Sequence, residues 1–382
     1  MSNIKYLQIY PSTLEGASRM EKIATSVHPH TGADQTELVG VAGAQLPEVD
    51  EVAPGVSIRR IAGSARPGNL GRVLRVLLWQ PRVYRHYRNQ PLAAVAAHNV
   101  WVLALCWHLA RRAEAPLIYN PHELETETCA MRGMKKRAAQ FLESRYIKRC
   151  ALVSVVNEPI ADWYAERYAI TRPVTVSNIP RVKEARPNLR LRLGIREDEM
   201  LYIHTGHLVE GRSIRVMLAA FSRSHHHVVF LGDGHLRAAV ESAALAHSNI
   251  HWMMPVHPDL VVAHVREADV GLCLTETQED LSNLYATPNK LMETLLAGRP
   301  ALCTPLVEAQ RILGPANSHW IVADPGKDLD DALARITKAV VADFVESWPG
   351  LGSWDEEVQQ LVSAYSSLLV SSRSLSDPTT RN

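Results

Sequence analysis

Two doubly wound α/β domains, each a parallel sheet covered by helices and facing the other across a cleft, are the fold this sequence predicts. Three observations predict it. Short apolar, β-branched runs alternate with longer segments of helical period from end to end, the pattern of βαβ units. The chain has 382 residues, which at roughly 100–200 residues per domain is enough for two or three. The alternation also begins afresh at Met200, after Ser177-Asn178-Ile179-Pro180-Arg181, whose Asn and Pro suit a hinge.

In the first half, strands are expected at Ile4–Ile9, Ser57–Ile61, Leu92–Ala97, Leu117–Tyr119, Leu152–Val156 and Val174–Val176. Helices are expected between them at Ala17–Val27, Leu70–Arg88, Val100–Arg112, Arg132–Arg149 and Ile160–Tyr168. In the second half, strands are expected at Leu201–Thr205, Val228–Leu231, Ile250–Met254, Val270–Leu274, Ala301–Thr304 and Trp320–Val322, separated by helix-length segments. A last helix, Trp354–Leu369, follows the turn Pro349-Gly350-Leu351-Gly352. The expected division is therefore 1–180, 181–353, a C-terminal helix over 354–370 and a flexible Ser/Thr-rich tail over 371–382. Parallel sheets bind ligands at their carboxyl ends, so the cleft is the expected site.

Composition narrows the function. Hydrophobic residues make up 46% and charged residues 21%, which excludes disorder and fibrous repeats. The 41 Lys and Arg balance 40 Asp and Glu, which argues against a nucleic-acid partner. Cys106, Cys129, Cys150, Cys273 and Cys303 are scattered without CxxC spacing, so neither a disulfide framework nor a zinc ribbon is expected and a reducing, cytoplasmic setting fits. Met1–Pro11 lacks the features of a signal peptide. The longest apolar run, Val100–Ala110, contains His108 and is shorter than the roughly 20 residues of a membrane span.

The segment Thr287-Pro288-Asn289-Lys290-Leu291-Met292-Glu293, ending at Gly298-Arg299-Pro300, specifies a short helix. Thr287 is expected to cap it, Pro288 to take the first helical position, and Gly298 with Pro300 to stop it. At 3.6 residues per turn Asn289 and Glu293 stack on one face with Lys290 beside them, while Leu291 and Leu295 point into the core. A lysine at a helix start suits a phosphate, because free amides and the dipole both favour an anion. A solvated surface helix would carry the same residues.

These residues resemble the retaining GT-B glycosyltransferases of family 4, whose second domain carries Glu-x7-Glu running into Gly-x-Pro. Glu293 and Gly298-Arg299-Pro300 match the second half of that motif; Tyr285 stands where the first Glu does. The resemblance implies two Rossmann-like domains, Glu293 on the nucleotide ribose, and Ser282, Asn283, Thr287, Pro288 and Asn289 in a donor loop like that of a sub-branch with Pro-Asn-Lys-Leu-x-Glu. Ile203-His204-Thr205-Gly206-His207-Leu208-Val209-Glu210-Gly211-Arg212 is similar to the family's Gly-Arg-Leu-x-x-x-Lys-Gly phosphate element. Gly206 is its glycine, His207 stands at the Arg position and Arg212 at the Lys position. Arg212 brings a permanent charge and a planar fork suited to a diphosphate. His207 would equally be a partly buried loop histidine.

Gly232-Asp233-Gly234 resembles the family's Gly-x-Gly turn, but so short a glycine motif reads first as an ordinary tight βα turn. His251–Pro255 lies where the family holds the base, though Trp252 would equally be core. In the first domain, Gly16 lies in the strand-to-helix loop that the family places near the diphosphate, and lacks a Cβ to obstruct it. His122, in Asn120-Pro121-His122-Glu123, matches a family histidine beside donor sugar and acceptor; capping, or metal ligation with Glu125 and Glu127, are its other readings. His98-Asn99 ends a strand close by in this reading.

No Asp-x-Asp follows a strand, and Asp328-Leu329-Asp330 starts a predicted helix, so neither metal nor cofactor is expected. Arg212, Lys290 and the Pro288 helix would neutralise the leaving diphosphate. Arg72, Arg75, Arg82, Arg85 and Arg88, and the basic stretch Arg132–Arg149, read either as solvated faces or as contacts with anionic lipid. The expected function is retaining transfer of a hexose-type sugar from a nucleotide-diphosphate sugar to a glycan or lipid-linked acceptor, in the cytoplasm or peripherally on a membrane. A nucleotide-sugar epimerase and a non-catalytic nucleotide-sugar-binding subunit are the alternatives.

Overall fold

The computed structural model describes residues 3–63, 68–277 and 280–376, with side chains described outside 68–75, 77 and 370–376. Two compact units emerge: residues up to Ser177 joined by the segment from Val358 onward, and Asn178–Glu357. The side chains of Arg72 and Arg75, and the end of the tail from 377, lie outside the described residues.

The first unit runs β1 (Lys5–Ile9), α1 (Ser18–Thr31), β2 (Gln35–Val41), β3 (Val49–Ala53), β4 (Val56–Ile61), α2 (Gly68–Tyr87), β5 (Leu92–Ala97), α3 (Leu103–Arg112), β6 (Leu117–Tyr119), α4 (Gly133–Tyr146), β7 (Leu152–Val155), α5 (Glu158–Tyr168) and β8 (Val174–Thr175). Among the described residues its strands lie in the order β3-β4-β2-β1-β5-β6-β7-β8, parallel except for the β3–β4 hairpin. Neither β2 nor β3 is expected from the sequence. In β2 the buried Glu37 interrupts the apolar run that marks an interior parallel strand. It is satisfied by Lys5 Nζ at 2.7 Å and Tyr87 Oη at 2.5 Å. Residues Val49, Asp50 and Glu51 of β3 are exposed at a sheet edge, so the strand carries acids instead of an apolar face.

The second unit contains α6 (Leu189–Leu193), β9 (Leu201–Thr205), α7 (Ile214–Phe221), β10 (His227–Leu231), α8 (Arg237–Ala246), β11 (Ile250–Met253), α9 (Pro258–Arg266), β12 (Val270–Cys273), α10 (Leu281–Tyr285), α11 (Asn289–Leu296), β13 (Ala301–Cys303), α12 (Val307–Leu313), α13 (Pro325–Arg335) and α14 (Lys338–Ser347). Its described strands form one parallel sheet, β11-β10-β9-β12-β13, and Phe221, Phe230, Leu272, Leu291, Leu295 and Trp320 share its main core. The strand expected at Trp320–Val322 reduces to one bridge, Cys303 to Ile321, after a 3-10 turn. Trp320 is wholly buried, so its apolar signal reflects packing and not strand pairing.

The helix expected at Trp354–Leu369 is broken into α15 (Trp354–Glu357) and α16 (Gln359–Ser376). In the first unit α16 packs on α1, and the hydroxyls of Tyr365 and Tyr6 meet at 2.7 Å.

Candidate functional site

In the second unit, packing places the polar groups. Gly271 of β12 faces α11, and a Cβ there would lie 2.2 Å from Thr294 Oγ1, so the helix seats against bare strand backbone. That seating sends Leu291 and Leu295 fully into the core. Lys290 and Glu293 then stand beside the end of β9. Thr205 Oγ1 donates to Glu293 Oε2 at 2.9 Å, and Lys290 Nζ lies 3.4 Å from His204 Nε2. Beyond β12, Thr275 Oγ1 accepts from Arg212 Nη1 at 3.2 Å.

Burial governs the protonation of this cluster. It raises the Glu293 carboxyl, against the opposing effects of the Thr205 hydrogen bond and Lys290. It lowers Lys290 to about 8, with Arg212 adding to the effect while Cys273 and Glu293 oppose it. His204, wholly buried, is held well below the ordinary histidine value by burial and by Lys290, so its neutral ring can accept from the ammonium. Among the described residues neither Lys290 nor Arg212 forms an ion pair.

Several sequence expectations shift. Pro288, not Thr287, holds the capping position of α11, with φ −61° and ψ 135°. A proline supplies no side-chain oxygen there, and the helix starts one residue late. The polar face of α11 is not free: besides the Glu293 bond, Asn289 Oδ1 accepts from Asn178 Nδ2 at 2.9 Å. His207 is exposed, and the histidine touching Lys290 is His204. Asn283 is committed to its own turn, its backbone N donating to Asp280 Oδ1 at 2.8 Å and its side chain to the Glu276 carbonyl at 3.3 Å. Tyr285, partly buried, closes α10.

Gly206 turns the chain with φ +94°, and a Cβ on Gly232 would lie 1.8 Å from its carbonyl oxygen. The ends of β9 and β10 therefore abut backbone to backbone, and Gly232 is required sterically. Trp252 is partly buried: its Nε1 donates to the Gly232 carbonyl at 3.0 Å and Arg237 lies 4.1 Å over its ring.

The first unit holds the other candidates. Gly16 is exposed at φ +69° in the β1–α1 loop. His122 follows β6, and its Nε2 lies 3.0 Å from Nδ1 of the buried His98. Tyr10 stacks on His122, with centroids 5.7 Å apart. Glu125 accepts from Asn99 at 2.5 Å and Glu127 pairs with Lys136 at 2.6 Å, so both carboxylates are engaged away from His122.

Residues 26–179 match a family model described as a glycosyl transferase 4-like domain, and residues 200–343 one described as glycosyl transferases group 1. Among solved structures the chain is similar to sucrose-phosphate synthase from Thermosynechococcus elongatus, at 13% identity over 97% of this chain and 98% of that one, with a TM-score of 0.70. The chain is a glycosyltransferase of GT-B type. It is also similar to HepE of Anabaena in complex with UDP and glucose, at 15% identity, 97% and 100% coverage and a TM-score of 0.64. A third likeness is to an E. coli structure described as trehalose-6-phosphate bound with UDP-2-fluoro glucose, at 11% identity, 97% and 98% coverage and a TM-score of 0.62. At such identities the likeness is one of fold: two α/β domains with parallel, Rossmann-like sheets. No curated protein sequence matches this glycosyltransferase.

Two of its site residues escape sequence reasoning, His204 and Thr205. Both close the otherwise apolar strand Leu201–Thr205, all five residues of which are buried. Polar side chains at the carboxyl end of such a run were the available signal.

Proposed function

We propose that this glycosyltransferase moves a hexose-type sugar from a nucleoside diphosphate to an acceptor hydroxyl with retention, in glycan or polysaccharide assembly, and needs no metal. The observation that carries the reading is the cluster of Lys290, Arg212 and Glu293 around the ends of β9 and β12. Two cations without carboxylate partners among the described residues suit a departing diphosphate, and a carboxylate one helical turn from the start of α11 suits the ribose hydroxyls. His122 and Gly16 are assigned to the donor sugar and diphosphate by the family resemblance. His207, Asn283, Tyr285, Thr287, Pro288 and Asn289 belong to the same proposed donor surroundings.

The acceptor is proposed to be lipid-linked. Arg137, Arg145, Met134 and Phe141 are exposed on α4, the two apolar residues 78% and 66% so, while the helix's one acid, Glu143, is wholly buried under three tyrosine hydroxyls. Basic residues flanking protruding apolar ones suit an anionic bilayer surface. Among the described residues no helix is long and apolar enough to cross a membrane. On α2, by contrast, Arg82 is tied to the carbonyls of Ala62 and Gly63 at 2.7 and 2.9 Å.

The test is a thermal-shift and turnover panel of UDP, GDP, dTDP and their sugars, followed by co-sedimentation with anionic vesicles. Stabilisation by one nucleotide and sugar release to an acceptor are expected. Acceptor-independent change of the sugar would make the protein an epimerase, and binding without turnover a non-catalytic subunit. Phe141→Ser with Met134→Ser should reduce vesicle binding and leave donor hydrolysis intact.

A further inference from the structure

At the carboxyl end of the second sheet β12 and β13 separate, and a side chain takes over from the backbone ladder. Their pairing ends at Cys273 and Cys303. Pro305 has no N–H with which to continue it, and the Leu306 N–H turns back to the Thr304 carbonyl at 2.7 Å. In place of the ladder, Thr304 Oγ1 donates to the Thr275 carbonyl at 2.7 Å and accepts from the Thr275 N–H at 3.2 Å. Thr275 and Thr304 are both buried, 0% and 3% exposed. The side chain of Thr275 in turn holds Arg212, whose Nη1 donates to Oγ1 at 3.2 Å.

We propose that Thr304, acting through Thr275, is a positioning residue that holds the Arg212 guanidinium in the orientation in which it receives a diphosphate. Every donor and acceptor in this series is fixed by chemistry. A guanidinium can only donate, so Thr275 Oγ1 accepts from it. A carbonyl can only accept, so the Thr304 hydroxyl proton goes to Thr275, and the Thr304 oxygen takes the Thr275 N–H. Both bonds of that hydroxyl therefore point at one residue. Thr304 sets where Thr275 stands and has no proton left for a ligand.

The loop that carries Arg212 is docked to the same segment. Gly211 and Ser213 are left-handed, with φ +80° and +51°, and the Glu276 N–H donates to the Gly211 carbonyl at 3.0 Å. These contacts place the backbone of Arg212 but not its long side chain, whose rotamer freedom is lost when it binds an anion. The Thr275 hydroxyl removes much of that freedom beforehand and, being neutral, leaves the charge available. With Nη1 taken, the Nε–Nη2 edge, which has no partner among the described residues, is the face left for the paired bonds that phosphate oxygens accept. Without the Thr304 hydroxyl, the Thr275 N–H keeps the Cys273 carbonyl at 3.2 Å, but the Thr275 carbonyl is orphaned in the interior. It must turn to find a donor, and the side chain turns with it. The inference deepens the proposed function and rests on it for the ligand alone, because the orientation of Arg212 belongs to the ligand-free protein.

The experiment is nitrogen NMR of the arginine side chains in the full, ligand-free chain, paired with calorimetric titration of UDP, GDP and dTDP. The two Nη groups of Arg212 should give separate signals in the wild type, because a held guanidinium rotates slowly about its Nε–Cζ bond. One averaged signal is expected in Thr304→Val and in Thr275→Val. Both variants should weaken binding of the preferred nucleoside diphosphate about tenfold. Thr304→Ser, which keeps the hydroxyl, should behave as the wild type in both measurements. In an Arg212→Ala background Thr304→Val should weaken binding no further. An averaged Arg212 signal in the wild type, separate signals retained in Thr304→Val, or the same loss of affinity when Thr304→Val is added to Arg212→Ala overturns the proposal. If Thr304→Val does not fold, Thr275→Val carries the comparison. A wild type with a held Arg212 that binds no nucleoside diphosphate would sink the proposed function and leave the positioning standing.

Discussion

Glu293→Gln separates binding from folding. The substitution keeps side-chain length and leaves Thr205 Oγ1, now 2.9 Å from Oε2, a carbonyl oxygen to donate to. It removes the negative charge alone. If the carboxylate holds two ribose hydroxyls, loss of a charged acceptor weakens nucleotide binding by about 1.5–3 kcal/mol, a factor of roughly 10 to 150. Folding should move the other way. Burial raises the Glu293 carboxyl above its ordinary range, so the folded state favours the protonated form. Its contribution to stability is present at acid pH and lost as pH rises through the raised value. At pH 7 the wild type bears the burial of a charge that glutamine does not, so the variant should unfold at an equal or higher temperature. The advantage should vanish toward pH 4.

The assay pairs calorimetric titration with UDP, GDP or dTDP sugars and thermal melts at several pH values. Wild-type binding should itself weaken as pH falls through the raised carboxyl value. A variant that binds as tightly as the wild type refutes the ribose role, and one that melts lower at pH 7 refutes the burial argument.

Arg212→Ala and Lys290→Ala should each lower turnover, and together should lose less than the sum if both stabilise one leaving diphosphate, read from kcat/KM of the double-mutant cycle. Lys290, brought to about 8 chiefly by burial, should lose its proton as pH rises through that value, so nucleoside diphosphate binding should fall above pH 8 and flatten in Lys290→Arg. Gly271→Ala should displace α11, because the new methyl would meet Thr294 Oγ1 at 2.2 Å; a loss of about 1–3 kcal/mol in denaturant unfolding, with weakened nucleotide binding, is expected.

Periodicity made most of the fold legible because most strands are buried runs bounded by turns. Leu92–Ala97, Leu117–Tyr119 and Leu201–Thr205 coincide with the expected spans. It failed where charge is compensated from a distance, as at Glu37, whose partners Lys5 and Tyr87 come from another strand and a helix. It also failed at Trp320, where apolarity serves packing. The site was legible as far as helical spacing reaches: Leu291 and Leu295 turn inward and Lys290 and Glu293 do not. Which histidine meets Lys290 depends on the register of β9 against α11, and no local spacing encodes that.

That register explains why the lysine sits as it does. An ammonium with no ion-pair partner among the described residues is unfavourable when buried in the free protein, and the lowering of Lys290 expresses this. His204 offers one lone pair at 3.4 Å, enough to orient the ammonium but without charge to neutralise it. A carboxylate in place of His204 would satisfy the lysine fully and would compete with any incoming phosphate. A neutral acceptor leaves the positive charge available, so the interaction that the free protein lacks is one that a bound diphosphate supplies. The same reasoning applies to Arg212, whose described partner is the Thr275 hydroxyl and not a carboxylate. His204→Asp should therefore raise stability at neutral pH while weakening nucleoside diphosphate binding. Tighter binding in that variant would show that the cations are not held for an anion.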